Sequence, residues 1–356
     1  MSTSTGTVHK VGNTEPAHRL RCEHGLMSPD EVGSPTVMHR FALLAAGFTD
    51  DEIRRNRRSG LWQSVHRGTY CVSSELASLA NHEKYALRVL AIAARSPHLV
   101  VSHHSAAILL GLPVKDQHLD TVYLIRRGTG GGRSANGRTV RAAQLDPDET
   151  VLVNGVLVTS VARTLVDLGC TASRDAAVMA ADHALRRRMV TPAELSDAMA
   201  RSSHRRGCAA ARRAMRFADG RSESPGESMT RVILDQLGLP APHLQVSVFT
   251  PNQKFVGRTD LGYPELGVLL EFDGFVKYSK LLKDNEQSVD VVVREKDREN
   301  RIRGMGYLVI RIVWADLSKP DQLAERIKAD LDRGRRIVAN GGLAGTWEAA
   351  TPIRIG

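Results

Sequence analysis

Four carboxylates in the second half of the chain have the types and spacing for metal-assisted chemistry. Asp260 lies in Arg258-Thr259-Asp260-Leu261, while Glu271 and Asp273 close the apolar run Val268-Leu269-Leu270. That run predicts a buried strand, and residues two apart on a strand share a face, so Glu271 and Asp273 point the same way. Carboxylates gathered at a sheet edge repel one another unless a cation lies between them. Oxygen donors of this kind suit Mg²⁺ or Mn²⁺. Such an ion activates water and offsets developing charge when a phosphodiester is cleaved. Asp260 and Glu271 are the candidate ligands. Glu227, in a helix predicted from Ser224 to about Leu237, is placed to complete the set or to hold a second ion.

A second group of residues is suited to binding. Arg54, Arg57 and Arg58 recur at i, i+3 and i+4, so they share one helix face, and Arg55 extends it. Thr49 and Glu52 have the spacing of a capping box, and Phe48 is placed to staple onto Ile53. A first helix is expected over Pro35–Ala46, stopped by Gly47. After the arginine helix, Leu61–Val65 and Tyr70–Val72 predict a hairpin turning at Arg67-Gly68. Two short helices, a tight glycine turn and a hairpin are the parts of a helix-turn-helix with a wing. Arginine forks match phosphates and guanine edges. Arg54, Arg55, Arg57, Arg58 and Arg67 are therefore the candidate DNA contacts, with double-stranded DNA as partner.

These elements must be held by a chain of 356 residues, long enough for two or three domains. The formal net charge is +10, and it is clustered, at Arg54–Arg58, Arg186–Arg188, Arg205-Arg206 and Arg212-Arg213, as polyanion binding requires. No stretch approaches the ~18–20 apolar residues that span a bilayer, so no membrane role is expected. The first residues lack the apolar core of a secretory signal, and Cys22, Cys71, Cys170 and Cys208 are widely spaced. A cytoplasmic protein is the expectation. In the middle of the chain, adjacent His103 and His104 cannot face the same way on a helix and do not suggest a metal pair. Thr121–Ile125 and Thr139–Ala142 predict paired strands, with Gly128–Gly132 as a hairpin loop between them rather than a phosphate-binding loop.

Two resemblances organise the chain. The run Gly47-Phe48-Thr49, Ile53-Arg54, Ser59-Gly60-Leu61-Trp62 and Val65–Tyr70 resembles the winged helix of AbiEi-type antitoxins, and Thr159–Leu168 resembles their middle domain. This likeness implies a transcriptional autoregulator with a cognate toxin as a further partner. The spacing Asp260-x10-Glu271-x-Asp273 resembles the PD-(D/E)xK signature of very-short-patch-repair-like endonucleases. It implies a restriction-endonuclease-like α/β domain with Mg²⁺ or Mn²⁺ at the candidate carboxylates. Asp273 stands where that signature usually has lysine, and the nearest substitutes are Lys277 and Lys296. The expectation is a multidomain α/β chain. It runs as a tail over 1–25, a winged helix-turn-helix over 26–75, a mixed α/β domain over 76–215, a nuclease-like domain over 222–335 and a second tail over 336–356. Its function is DNA binding with metal-dependent cleavage, or autoregulation with an inactive nuclease fold.

Overall fold

In the computed structural model, which describes residues 37–274 and 287–353, Thr49 starts a helix as its spacing predicts. The Glu52 N–H donates to the Thr49 hydroxyl at 3.2 Å, and the Thr49 N–H donates to Glu52 Oε2 at 2.7 Å. The surrounding elements are β1 (Met38–His39), α1 (Arg40–Ala45), α2 (Asp50–Arg58), β2 (Trp62–His66) and β3 (Thr69–Val72). The first helix is thus shorter than the sequence suggested. Met38 and His39 pair antiparallel with Tyr70 and Thr69 instead, where the free edge of β3 satisfies backbone groups that a helix's first turn leaves open. The sheet order is β1-β3-β2. Leu43, Ile53 and Tyr70 form its small core with Met38 and Trp62.

The middle region begins with α3 (Ser73–Ser78), α4 (Asn81–Ala93), β4 (Leu99–Val101) and α5 (His103–Leu109). Then come β5 (Val122–Arg127), β6 (Arg133–Ala135), β7 (Arg138–Ala143), β8 (Thr150–Val153) and β9 (Val156–Thr159). They form a sheet of order β6-β7-β5-β4-β9-β8. The expected pairing of β5 with β7 exists but is parallel, so the glycine run is not their hairpin loop. It carries the chain to β6, which makes the hairpin with β7. Four helices follow: α6 (Val161–Thr171), α7 (Arg174–Arg186), α8 (Pro192–Arg201) and α9 (Cys208–Phe217). Leu165, Leu168, Leu195 and Met215 meet between them in a buried core.

The last region is α10 (Pro225–Gln236), β10 (His243–Phe249), β11 (Phe255–Tyr263), β12 (Val268–Asp273), α11 (Gln287–Gly304), β13 (Leu308–Val313), α12 (Trp314–Leu317), α13 (Pro320–Ala339) and β14 (Thr346–Ala349). Strands β10 to β12 form an antiparallel meander, and β13 lies parallel to β12. One boundary differs from the sequence reading. The described part of the expected tail, 336–353, is not free: α13 runs on to Ala339, and β14 pairs with β10 from Val246 to Phe249, giving the order β13-β12-β11-β10-β14. The stretch Phe217–Pro225 that leads into α10 is packed. Arg231 of α10 reaches Asp182 of α7 at 2.7 Å and the Phe217 carbonyl at 2.7 Å, and Asp219 is fully buried. A buried ion pair with its hydrogen bonds satisfied fixes two elements in register, because loss of either partner strands a charge. The expected tail at 1–25 lies outside the described residues, and among those described no helix is long and apolar enough to cross a membrane.

Candidate functional site

Glu227, Asp260 and Glu271 come together at one end of the C-terminal sheet, each for a local reason. Ser224 caps α10 by accepting from the Glu227 N–H at 3.2 Å. Gly226 lets that helix lie against β12, since a Cβ there would sit 2.0 Å from the Phe272 ring. Glu227 is therefore carried inward and is buried. The ladder between β11 and β12 covers Leu261 to Tyr263. At the next residue the side chain takes over, and Asp260 Oδ2 accepts from the Phe272 N–H at 2.8 Å. Glu271, on β12, is buried as well.

The electrostatics record the crowding. Burial, with the charge of Asp260 added, pushes Glu227 up to about 7 from an ordinary 4.5. Burial also raises Glu271; Arg298 works against the rise and Asp260 adds to it. Between pH 4.5 and 7 the folded chain keeps a proton on Glu227 that the unfolded chain has released, so this group's contribution falls as pH rises through that window. Glu227→Gln is expected to match wild type in stability near pH 4 and to exceed it by about 3 kcal/mol above pH 7. Urea unfolding at the two pH values checks this.

The cation beside the carboxylates was not anticipated. Arg298, on α11, places Nη2 2.8 Å from Glu271 Oε1 and 2.8 Å from Glu295 Oε2, and its Nη1 donates to the Arg258 carbonyl. Lys296, two residues away and so on the opposite side of the helix, is exposed. Lys277 lies outside the described residues. Asp273 does share the β12 end with Glu271, but it faces Arg311 at 3.7 Å, and Arg311 also pairs with Glu299 at 2.7 Å. Asp273 is thus held by Arg311, whose charge also acts on Glu271.

Gln245 was missed too. It sits in β10 with a left-handed φ of 53° and is buried. Its Nε2 donates to Glu227 Oε2 at 3.0 Å, while its Oε1 is buried without a hydrogen-bond partner among the described residues. A non-glycine residue in this conformation stores ~1–3 kcal/mol of strain, which persists only where the surroundings impose it. As placed, no three of the described histidines, cysteines and carboxylates surround one point as metal ligands; Arg298 balances the charge instead. The donor set itself, Glu227 and Glu271 raised by burial and the nearby charge of Asp260 beside an unpartnered amide oxygen, has the chemistry of a hard-cation site.

The arginines of the N-terminal unit fall into two groups. Arg54 pairs with Asp51 at 2.9 Å, and Arg55 and Arg58 are exposed on α2. Arg57 turns over the Tyr70 ring, 5.6 Å from its centre. Arg67 stands at the hairpin turn, where its carbonyl accepts from Arg95 Nη1 at 2.7 Å. Phe48 packs on Trp62, with ring centres 5.6 Å apart. Arg205, counted with the surface charge on sequence, is instead drawn to buried Asp167 at 2.5 Å.

Comparison with known proteins adds one relationship. The chain is similar to a protein of Mycobacterium tuberculosis, found in strains CDC 1551 and H37Rv and described as uncharacterized, with 32% identity over 184 residues. The similarity covers 51% of this chain and 65% of that protein, so the chain spans less than two thirds of the relative's length. No family model matches the chain.

Proposed function

We propose that the chain binds double-stranded DNA through a winged helix-turn-helix containing α1, α2 and the β2–β3 hairpin, and cleaves it at a PD-(D/E)xK-type centre. The observation that carries this reading is the meeting of Glu227, Asp260 and Glu271 at the end of the β10–β12 meander, with a cation from α11 among them. Asp260 and Glu271 are the residues to hold Mg²⁺ or Mn²⁺, with Glu227 and the Gln245 amide oxygen closing the oxygen set. Held there, such an ion would supply Lewis acidity for phosphodiester hydrolysis. Glu227, pushed up to about 7, is poised to take up or release a proton near neutral pH. Arg298 takes the part expected of a lysine at position 273: a guanidinium beside Glu271 that offsets charge on the scissile phosphate.

Supercoiled plasmid incubated with Mg²⁺ or Mn²⁺ tests the reading. Wild type is expected to nick it, Glu271→Ala is expected not to, and Arg54→Ala/Arg58→Ala is expected to lose nicking as salt is raised. Equal nicking by wild type and Glu271→Ala overturns cleavage. A second reading draws on Arg298 already balancing Glu271: an AbiEi-like autoregulator, partnered by a cognate toxin, whose C-terminal domain holds DNA without cutting. Wild type that shifts its own upstream DNA in a gel and leaves plasmid intact favours that reading.

A further inference from the structure

Arg57, Arg67 and Arg95 line a cleft of about 730 Å³ where α2, the hairpin turn and the residue just past α4 meet. Among the described residues none of the three is paired with a carboxylate. Their neighbours Arg40 and Arg54 are paired, with Asp50 at 2.5 Å and Asp51 at 2.9 Å. The cleft is preformed. Tyr70 supports Arg57 from one side, and Arg95 is anchored to the turn by its bond to the Arg67 carbonyl. Gly68 leaves the space for that bond, since a Cβ there would lie 2.7 Å from Arg95 Nη1. The field in the cleft is positive. His39 is held below its ordinary 6.5 first by burial and then by Arg95, and His66 by burial and then by Arg95, Arg88 and Arg138.

We propose that this cleft seats a backbone phosphate of the duplex, so that Arg95, from the middle region, is part of the DNA-binding surface together with Arg57 and Arg67. The proposal rests on the DNA-binding reading above and adds a contact that no feature of the helix-turn-helix alone supplies. Concave positive surface concentrates phosphate, and uncompensated guanidiniums lining one cleft are matched by its oxygens. A small free anion would leave the exposed Arg55 and Arg58, on the same helix as Arg57, without a role. A duplex backbone engages them together.

The test is the salt dependence of binding to a short mixed-sequence duplex, read by fluorescence anisotropy. Arg95→Gln keeps a donor for the Arg67 carbonyl and removes the charge; Arg95→Lys keeps the charge. The slope of log affinity against log salt is expected to shrink by about 0.9 in Arg95→Gln, one phosphate's worth, and to stay at the wild-type value in Arg95→Lys. Matching melting temperatures for the two variants separate lost charge from a loosened hairpin. If wild type binds, Arg54→Ala/Arg58→Ala binds less and Arg95→Gln keeps the full slope, the cleft proposal is overturned while the DNA reading stands. If wild type does not bind the duplex, both fall.

Discussion

Asp260→Asn is expected to reduce plasmid nicking about a thousandfold, roughly 4 kcal/mol of transition-state stabilisation, the scale of a lost metal contribution. The substitution is nearly isosteric, and its amide oxygen can still accept from the Phe272 N–H that Asp260 Oδ2 now takes at 2.8 Å. The link between β11 and β12 therefore survives, and the change removes one negative charge. A second readout follows from the same charge. After burial, Asp260 is the largest influence raising Glu227, so the Glu227 titration should move down toward 4.5 in the variant, as followed by side-chain carboxyl NMR. Lost nicking with an unchanged melting temperature and a lowered Glu227 pKa is the signature of a working site. Full nicking with the pKa lowered would take catalysis away from this cluster while leaving its electrostatics intact.

The parts of this site that were legible in the sequence are those set by short-range periodicity. The alternation along β12 places Glu271 and Asp273 on one side, and the capping residues Thr49 and Ser224 mark where α2 and α10 begin. Arg298 was not legible, because its partner Glu271 lies on a different element and only the packing of α11 against β11 and β13 brings them together. Lys296 had the more familiar chemistry, but helical geometry turns it outward. Gln245 was hidden for another reason: its role depends on a backbone conformation that residue type disfavours, and the sequence of β10 reads as an ordinary strand. Strand β14 escaped because Thr346-Trp347-Glu348-Ala349 is short and half polar, and an edge position beside β10 asks little of its side chains. The arginine clusters were overcounted as surface because composition cannot separate a solvated guanidinium from one folded onto a buried carboxylate, as Arg205 is.

That burial sets up the largest stability effect expected in the molecule. Asp167, on α6, is fully buried; its Oδ1 accepts from Arg163 Nε at 3.0 Å and from Arg205 Nη2 at 2.5 Å. Burial opposes its ionisation, but His103, Arg163 and Arg205 outweigh that and hold the carboxyl below its usual range. Arg163 also reaches Glu149 at 2.8 Å, so the network joins α6 to the turn before β8 and to the loop before α9. His103, at the start of α5, is held at a left-handed φ of 52° with its ring 4.0 Å from Asp167, a strain its surroundings must impose. Asp167→Ala leaves Arg205 without its carboxylate and Arg163 with only one. The expected loss is ~3–5 kcal/mol, and the melting temperature should fall on the order of 10 °C. Asp167→Asn, which keeps an acceptor for both guanidiniums but no charge, should fall between the two. Acid should expose the same region. Burial lowers His103 to about 4 and His104 to about 3 from an ordinary 6.5, so below pH 6.5 the unfolded chain takes up protons that the folded chain refuses, and their contribution is lost as pH drops. Asp167 is the group that raises His103 against that burial. Its removal should therefore lower the His103 pKa further and carry that loss on to lower pH. A melting curve for Asp167→Ala that overlays wild type at pH 7 and at pH 5 would show that the two guanidiniums find other partners, and that the network does not hold α5 and α6 together.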